Sequence, residues 1–136
     1  MAISHEHIRM YLADRVPLDN LLLDDLEFSD SEIDAAMDLM AARYNTIPPF
    51  VSNETKESFP FMYEGTIGTS YFLLKSKSIN MMRNNLNYQA ADGVAINDLE
   101  RRKEYMAIAD AMYQEFVDNC RRIKLSINAE SCYGYV

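Results

Sequence analysis

Two histidines and two cysteines are the side chains of this sequence best suited to metal binding or nucleophilic attack. Their spacing supports neither. His5 and His7 are two apart, so on a helix they point in different directions, and no cysteine or carboxylate cluster follows at a ligand-like interval. Cys120 and Cys132 are twelve apart and neither belongs to a CxxC pair. Cys120 falls within the apolar pattern of a helix, the setting of a packed thiol rather than of one activated by a neighbouring base. Asp24, Asp25 and Glu27 precede a helix start, whereas acid–base work needs a carboxylate pair held in a cleft with separated pKa values. The run 24–34 has the acids of a calcium loop but lacks its central glycine. Gly65-Thr66-Ile67-Gly68 is a fragment of a phosphate loop at best, and no GxSxG elbow occurs. The expectation is a protein that is not an enzyme and takes no metal or cofactor.

The elements around these residues read as helices. Residues 4–14 form a short one, capped by Ser4, with Ile8, Tyr11 and Leu12 on one face and Pro17 beyond its end. Residues 18–28 read as a linker with Leu21, Leu22, Leu23 and Leu26 as buried anchors. Ser29 and Glu32 then form a capping box, and Phe28 and Ile33 have the spacing of a hydrophobic staple. The stripe Ile33, Met37, Met40, Ala41 and Tyr44 follows, ending before Pro48-Pro49. After a loop over 45–58, Pro60 opens a helix to about Leu86 whose apolar middle, Ile67 to Leu74, belongs in the core. Gly65 and Gly68 each cost helix stability; Gly68 and Ser70 either let another helix approach closely or mark a bend, and a buried strand over 69–74 is the alternative. Asp92-Gly93 signals a turn within a loop over 87–96. A last helix starts at Asn97, with Glu100 as capping partner, and runs to about Arg122 through Leu99, Met106, Ala109, Tyr113, Phe116, Val117 and Cys120.

Beyond it, Ile123, Leu125 and Ile127 alternate with Lys124, Ser126 and Asn128, which is strand periodicity. The expected fold class is therefore all-α: a small bundle of about four helices over residues 1–122, with an extended strand-like C-terminal tail over 123–136. A lone strand leaves backbone groups unpaired, so the tail either packs locally at a frayed terminus or adds to a neighbouring subunit. The candidate assembly contacts are Leu125, Ile127, Tyr133 and Tyr135, with Arg121, Arg122 and Lys124 beside them. Removing 124–136 is expected to leave the helical signal intact and weaken assembly.

Charge and composition narrow the function classes. Hydrophobic residues make up 49% and charged residues 25%, enough apolar material for a core. The net charge is -8, which works against non-specific attraction to nucleic acid or anionic lipid. The excess is local: residues 1–57 hold twelve acidic and four basic residues, and residues 58–136 hold nine of each. This is either a solvated acidic face or one half of a contact between unlike subunit surfaces. The basic clusters 101–103 and 121–124 lack interleaved aromatics, so solvated or inter-subunit contacts rank ahead of a weak encounter with DNA. Nine methionines fill core gaps or supply adaptable contacts. No stretch nears the length of a membrane span, and residues 1–15 hold no apolar run, so reduced thiols in a cytosolic setting are expected.

Three stretches carry a resemblance. They are Leu22-Leu23-Asp24-Asp25 through Glu32 and on to Tyr44-Asn45-Thr46-Ile47-Pro48-Pro49; Arg83-Asn84-Asn85-Leu86-Asn87-Tyr88 through Asp92-Gly93 to Asn97-Asp98; and Leu125-Ser126-Ile127-Asn128 through Tyr133-Gly134. In this order they resemble the head-to-tail connector proteins of tailed bacteriophages, also called adaptor or head-completion proteins. The resemblance implies a virion protein at the head–tail junction, assembled in the host cytoplasm. It implies a homo-oligomeric ring, a dodecamer, below the portal protein, with a neck or tail-terminator protein as the other neighbour. Viral DNA passes through such a ring without sequence-specific binding, and no membrane is involved. Alternatives are a tail-completion or other neck component, or a small cytoplasmic helical regulator that binds a protein partner.

Overall fold

The computed structural model describes residues 3–15, 26–83, 88–89, 95–96 and 98–133. Four helices carry the fold: α1 (His5–Leu12), α2 (Asp30–Thr46), α3 (Met62–Arg83) and α4 (Asp98–Tyr133). A two-residue antiparallel ladder, β1 (Tyr88–Gln89) and β2 (Ala95–Ile96), pairs Tyr88 with Ile96 and lies between α3 and α4 in the chain. The all-α expectation holds. Asp92-Gly93 and Asn97 lie outside the described residues, as do Pro17, Leu21, Leu22 and Leu23. Leu26 is not the buried anchor expected of it, being 42% exposed.

Local signals place the first two helices. Ser4 accepts from the His7 backbone N–H at 3.2 Å and starts α1. α1 ends at Ala13, which takes the left-handed conformation at φ 54. A side chain there costs roughly 1 kcal/mol, and Asp14 holds the turn in place. The buried Asp14 carboxylate accepts from the Glu27 N–H at 2.7 Å, the Phe28 N–H at 3.0 Å and Arg9 Nη1 at 3.1 Å. Arg9 also donates to the Phe28 carbonyl and to Asp30. This clasp fixes the backbone just ahead of the α2 capping box, in which Ser29 and Glu32 each satisfy the other's N–H. Phe28 and Ile33, the expected staple, are both buried.

α2 and α4 both pack against α3, and the interface of α3 with α4 is the larger of the two. Both run antiparallel to α3: Gly68 meets Met40 and Phe116, while Tyr71 meets Tyr113. Gly68 is the point of closest approach. A Cβ there would stand 2.6 Å from Met40 Cγ and 2.8 Å from Phe116 Cε2. Gly65 is likewise covered, by Ile3 and Phe59. Of the two readings of Gly68 and Ser70, close approach is the one realised at Gly68; α3 passes through without a break, and 69–74 is helix, not strand. Tyr44, Phe59 and Phe61 close the bottom of the core edge to face, with Tyr44 and Phe59 centroids 5.0 Å apart.

The C-terminal segment departs from expectation. Residues 123–133 are not extended; they continue α4, which crosses position 122 without interruption. Its 36 residues span about 54 Å. Residues 134–136, with Tyr135, lie outside the described residues.

Gly68→Ala is expected to destabilise the fold by about 1–3 kcal/mol through overpacking, even though alanine favours a helix. Urea denaturation measures this, and Phe116→Leu should recover part of the loss in the double variant; an additive pair of losses would contradict the close approach.

Candidate functional site

The end of α2 and the continuation of α4 meet at one side chain. Lys124 is fully buried. Its ammonium donates to the Tyr44 carbonyl and, at 2.6 Å, to the Ile47 carbonyl, and sits 4.2 Å from the centre of the Tyr44 ring. The Tyr44 carbonyl also accepts from the Ile47 N–H at 3.2 Å, and Ile47, the residue that ends α2, has its carbonyl beyond the reach of the helix's own donors. The cation also meets the negative end of the α2 dipole, a favourable placement. No carboxylate pairs with it among the described residues, so carbonyls and a π face balance a desolvated charge. Burial pulls the Lys124 ammonium below the ordinary lysine range, and the neighbouring Cys120 opposes that pull. Arg43 reinforces the junction, donating from Nε to Tyr113 Oη at 3.1 Å.

This explains why 123–128 looked like a strand. The inward positions of α4 are Ala109, Phe116, Cys120 and Lys124, a helical series whose last member is charged. Counting apolar residues alone breaks the series at 120 and leaves the alternation of Ile123, Leu125 and Ile127. In the helix Leu125 is 55% exposed, while Ile123 and Ile127 are half-buried. Lys124 therefore leaves the set of candidate surface contacts. Arg121 and Arg122 are exposed and lie on the same side of α4 as Leu125, three and four residues earlier. Tyr133 is the last residue of α4.

A second feature went unread in the sequence. Between α2 and α3 lies a cleft of about 240 Å³, lined by Phe28, Ala35, Ala36, Leu39, Phe72 and Leu73, with Glu27, Glu32, Ser76, Lys77 and Asn80 at its edges. Glu27 closes one end. It pairs with Lys77 at 3.6 Å and Arg101 at 3.9 Å, and accepts from Tyr105 Oη at 3.4 Å. Glu27 is one of the three acids that precede a helix start; the other two, Asp24 and Asp25, lie outside the described residues. Only the tertiary fold brings Lys77 and Tyr105 to it. The groups at the cleft are an ion pair, an amide and apolar carbon, which suit binding of a side chain.

The histidines part company. His5 reaches Asp34 at 2.8 Å and Asp30 at 3.3 Å, tying α1 to α2, while His7 Nδ1 lies 2.7 Å from Ser4 Oγ at the cap. Arg9 holds the Asp30 carboxyl below its usual range. Among the described residues no group of three or more His, Cys, Asp or Glu is placed to hold a metal ion, and no helix is long and apolar enough to cross a membrane. Cys120 is wholly buried, and that burial pushes its thiol up to about 12, with Glu64 adding and Lys124 opposing.

Lys124→Met is expected to lose roughly 1–3 kcal/mol, since the Ile47 carbonyl loses its donor and the Tyr44 carbonyl is left with the Ile47 N–H alone; chemical denaturation checks it. Deleting 124–136 should therefore abolish cooperative unfolding rather than spare the helical signal. For Cys120, the folded state keeps its proton where the unfolded chain, near 9, has lost it. Its contribution is full below pH 9 and falls as pH rises toward about 12. Cys120→Ala should flatten the alkaline loss of stability in that window, read as melting temperature against pH; an unchanged slope would contradict the assignment.

Compared with known proteins, the chain matches no family model, no curated protein and no solved structure.

Proposed function

We propose that this chain is a structural subunit of the head–tail junction of a tailed bacteriophage, working by assembly with copies of itself and with portal rather than by catalysis. The observation that carries the reading is the order of the three stretches that resemble connector proteins, and exposed apolar side chains on several sides are compatible with it. Leu39, Phe50, Ile79, Met82, Ile108 and Leu125 are each more than two-fifths exposed and lie on different helices and loops of a rigidly packed body. The three stretches that resemble connector proteins supply the family context. The net charge of -8 suits a part that lets DNA pass without retaining it. In this reading the subunits form a ring below portal and meet a neck or tail-terminator protein on the other side.

Mass measurement of the purified chain, alone and mixed with portal protein, tests this. A defined oligomer or a stoichiometric complex with portal is expected, together with no retention of duplex DNA at moderate salt. A strict monomer that ignores portal and every neck protein would remove the connector reading.

A further inference from the structure

The outer side of α4 carries a stripe that is complementary to itself. Ile108, Ala111, Glu115, Arg122, Ser126 and Ala129 are all exposed. Their spacings are three, four, seven, four and three, which keeps them on one side of the helix. The spacings also read the same in both directions. A second α4 laid antiparallel, with a two-fold axis beside Asp118 and Asn119, therefore sets Ile108 against Ala129, Ala111 against Ser126 and Glu115 against Arg122. Each pairing occurs twice, as an isologous contact requires. A large side chain meets a small one, and an acid meets a base.

The charges at this stripe are not used within the chain. Glu115 accepts from Tyr63 Oη at 2.6 Å and makes no ion pair among the described residues. The Tyr63 hydroxyl is pushed up to about 12, first by that hydrogen bond, and Glu64 adds to the rise, so the field at this end is negative. Arg121 and Arg122, two turns on, make no ion pair among the described residues either. With Asp118 counted, residues 115–122 hold two acids and two arginines, so the contact as a whole is neutral. The charges also select the register. A shift of one heptad sets Glu115 against Glu115 or Arg122 against Arg122, and a parallel pairing sets each charge against itself. Apolar area follows the same arrangement. Ile108 is 49% exposed and Leu125, beside the stripe, is 55% exposed; the antiparallel pairing lays Ile108 on Ala129 and brings Leu125 next to Ala111 of the second copy.

We infer that the exposed Ile108–Ala129 stripe of α4 is the contact between two copies of this chain, paired antiparallel across a two-fold axis beside Asp118 and Asn119. The inference uses this chain alone and does not rest on the connector reading. A ring set between two unlike neighbours is polar and has no two-fold axis in its plane, so the dimer is the form of the free chain.

Charge exchange tests it. Arg122→Glu leaves glutamates facing one another at both ends of the contact, and Glu115→Arg leaves arginines facing. Each alone should weaken the dimer by about 30-fold or more, the size of a lost interface hot spot, with the circular dichroism of the wild type. An equimolar mixture should form pairs with one copy of each, because both ends then join acid to base. The double variant should pair with itself for the same reason. Sedimentation velocity and native mass spectrometry read these outcomes. If Glu115→Arg, which gives up the Tyr63 hydrogen bond, alters the circular dichroism, Ile108→Asp takes its place and should weaken the dimer to a similar degree. A monomeric wild type, wild-type pairing by either single variant, or a mixture without mixed pairs overturns the contact. Portal binding by a chain that stays monomeric would overturn the dimer and leave the connector reading standing.

Discussion

The buried ammonium of Lys124 is the constraint on which the lower half of the structure depends. It satisfies the Tyr44 and Ile47 carbonyls at the end of α2, and it does so from α4 across about eighty residues of sequence. A helix end buried without donors is unstable. Here the donor comes from another helix, so the end of α2 and the register of α4 are set together. The Tyr44 ring then completes the cation's surroundings while packing on Phe59 with its other edge. Phe59 in turn helps to cover Gly65. The polar contact and the aromatic core are thus one arrangement, and neither is complete without the other.

The upper half has its own fastening of the same physical kind. Asp14 takes up the Glu27 and Phe28 N–H groups ahead of α2, and Arg9 takes up the Phe28 carbonyl. A buried carboxylate therefore holds the approach to α2 and a buried ammonium holds its exit. Between these ends α2 is pinned against α3 at Met40 and Gly68, where there is no room for a methyl group. α2 is thereby fixed at three points along its length. Ala35, Leu39 and Ala42 on its outward side are exposed and take part in none of these fastenings. This links packing to the proposed role: a helix held from within leaves its outer face free for another molecule.

Much of this plan was legible along the chain. The capping box at Ser29 and Glu32, the stripe from Ile33 to Tyr44 and the stop before Pro48-Pro49 are local signals, carried by residues three or four apart, and local hydrogen bonding enforces them. The all-α class followed from the same periodicity. The α2–α3 cleft was not legible, because its walls come from segments more than thirty residues apart and none of them has a distinctive spacing.

What the sequence by itself determined, then, is the set of helices and most of their inward faces, since a 3.6-residue period needs only neighbouring residues to express it. What only the tertiary structure decided is the sense of residues 123–133 and the meaning of the two glycines. A lysine at an inward position hides a helical stripe from any count of apolar residues. Its burial becomes acceptable only when the carbonyls of α2 and the ring of Tyr44 arrive to receive it. Gly65 and Gly68 lower helix propensity taken alone, and only the approach of Ile3, Met40 and Phe116 makes their missing side chains necessary.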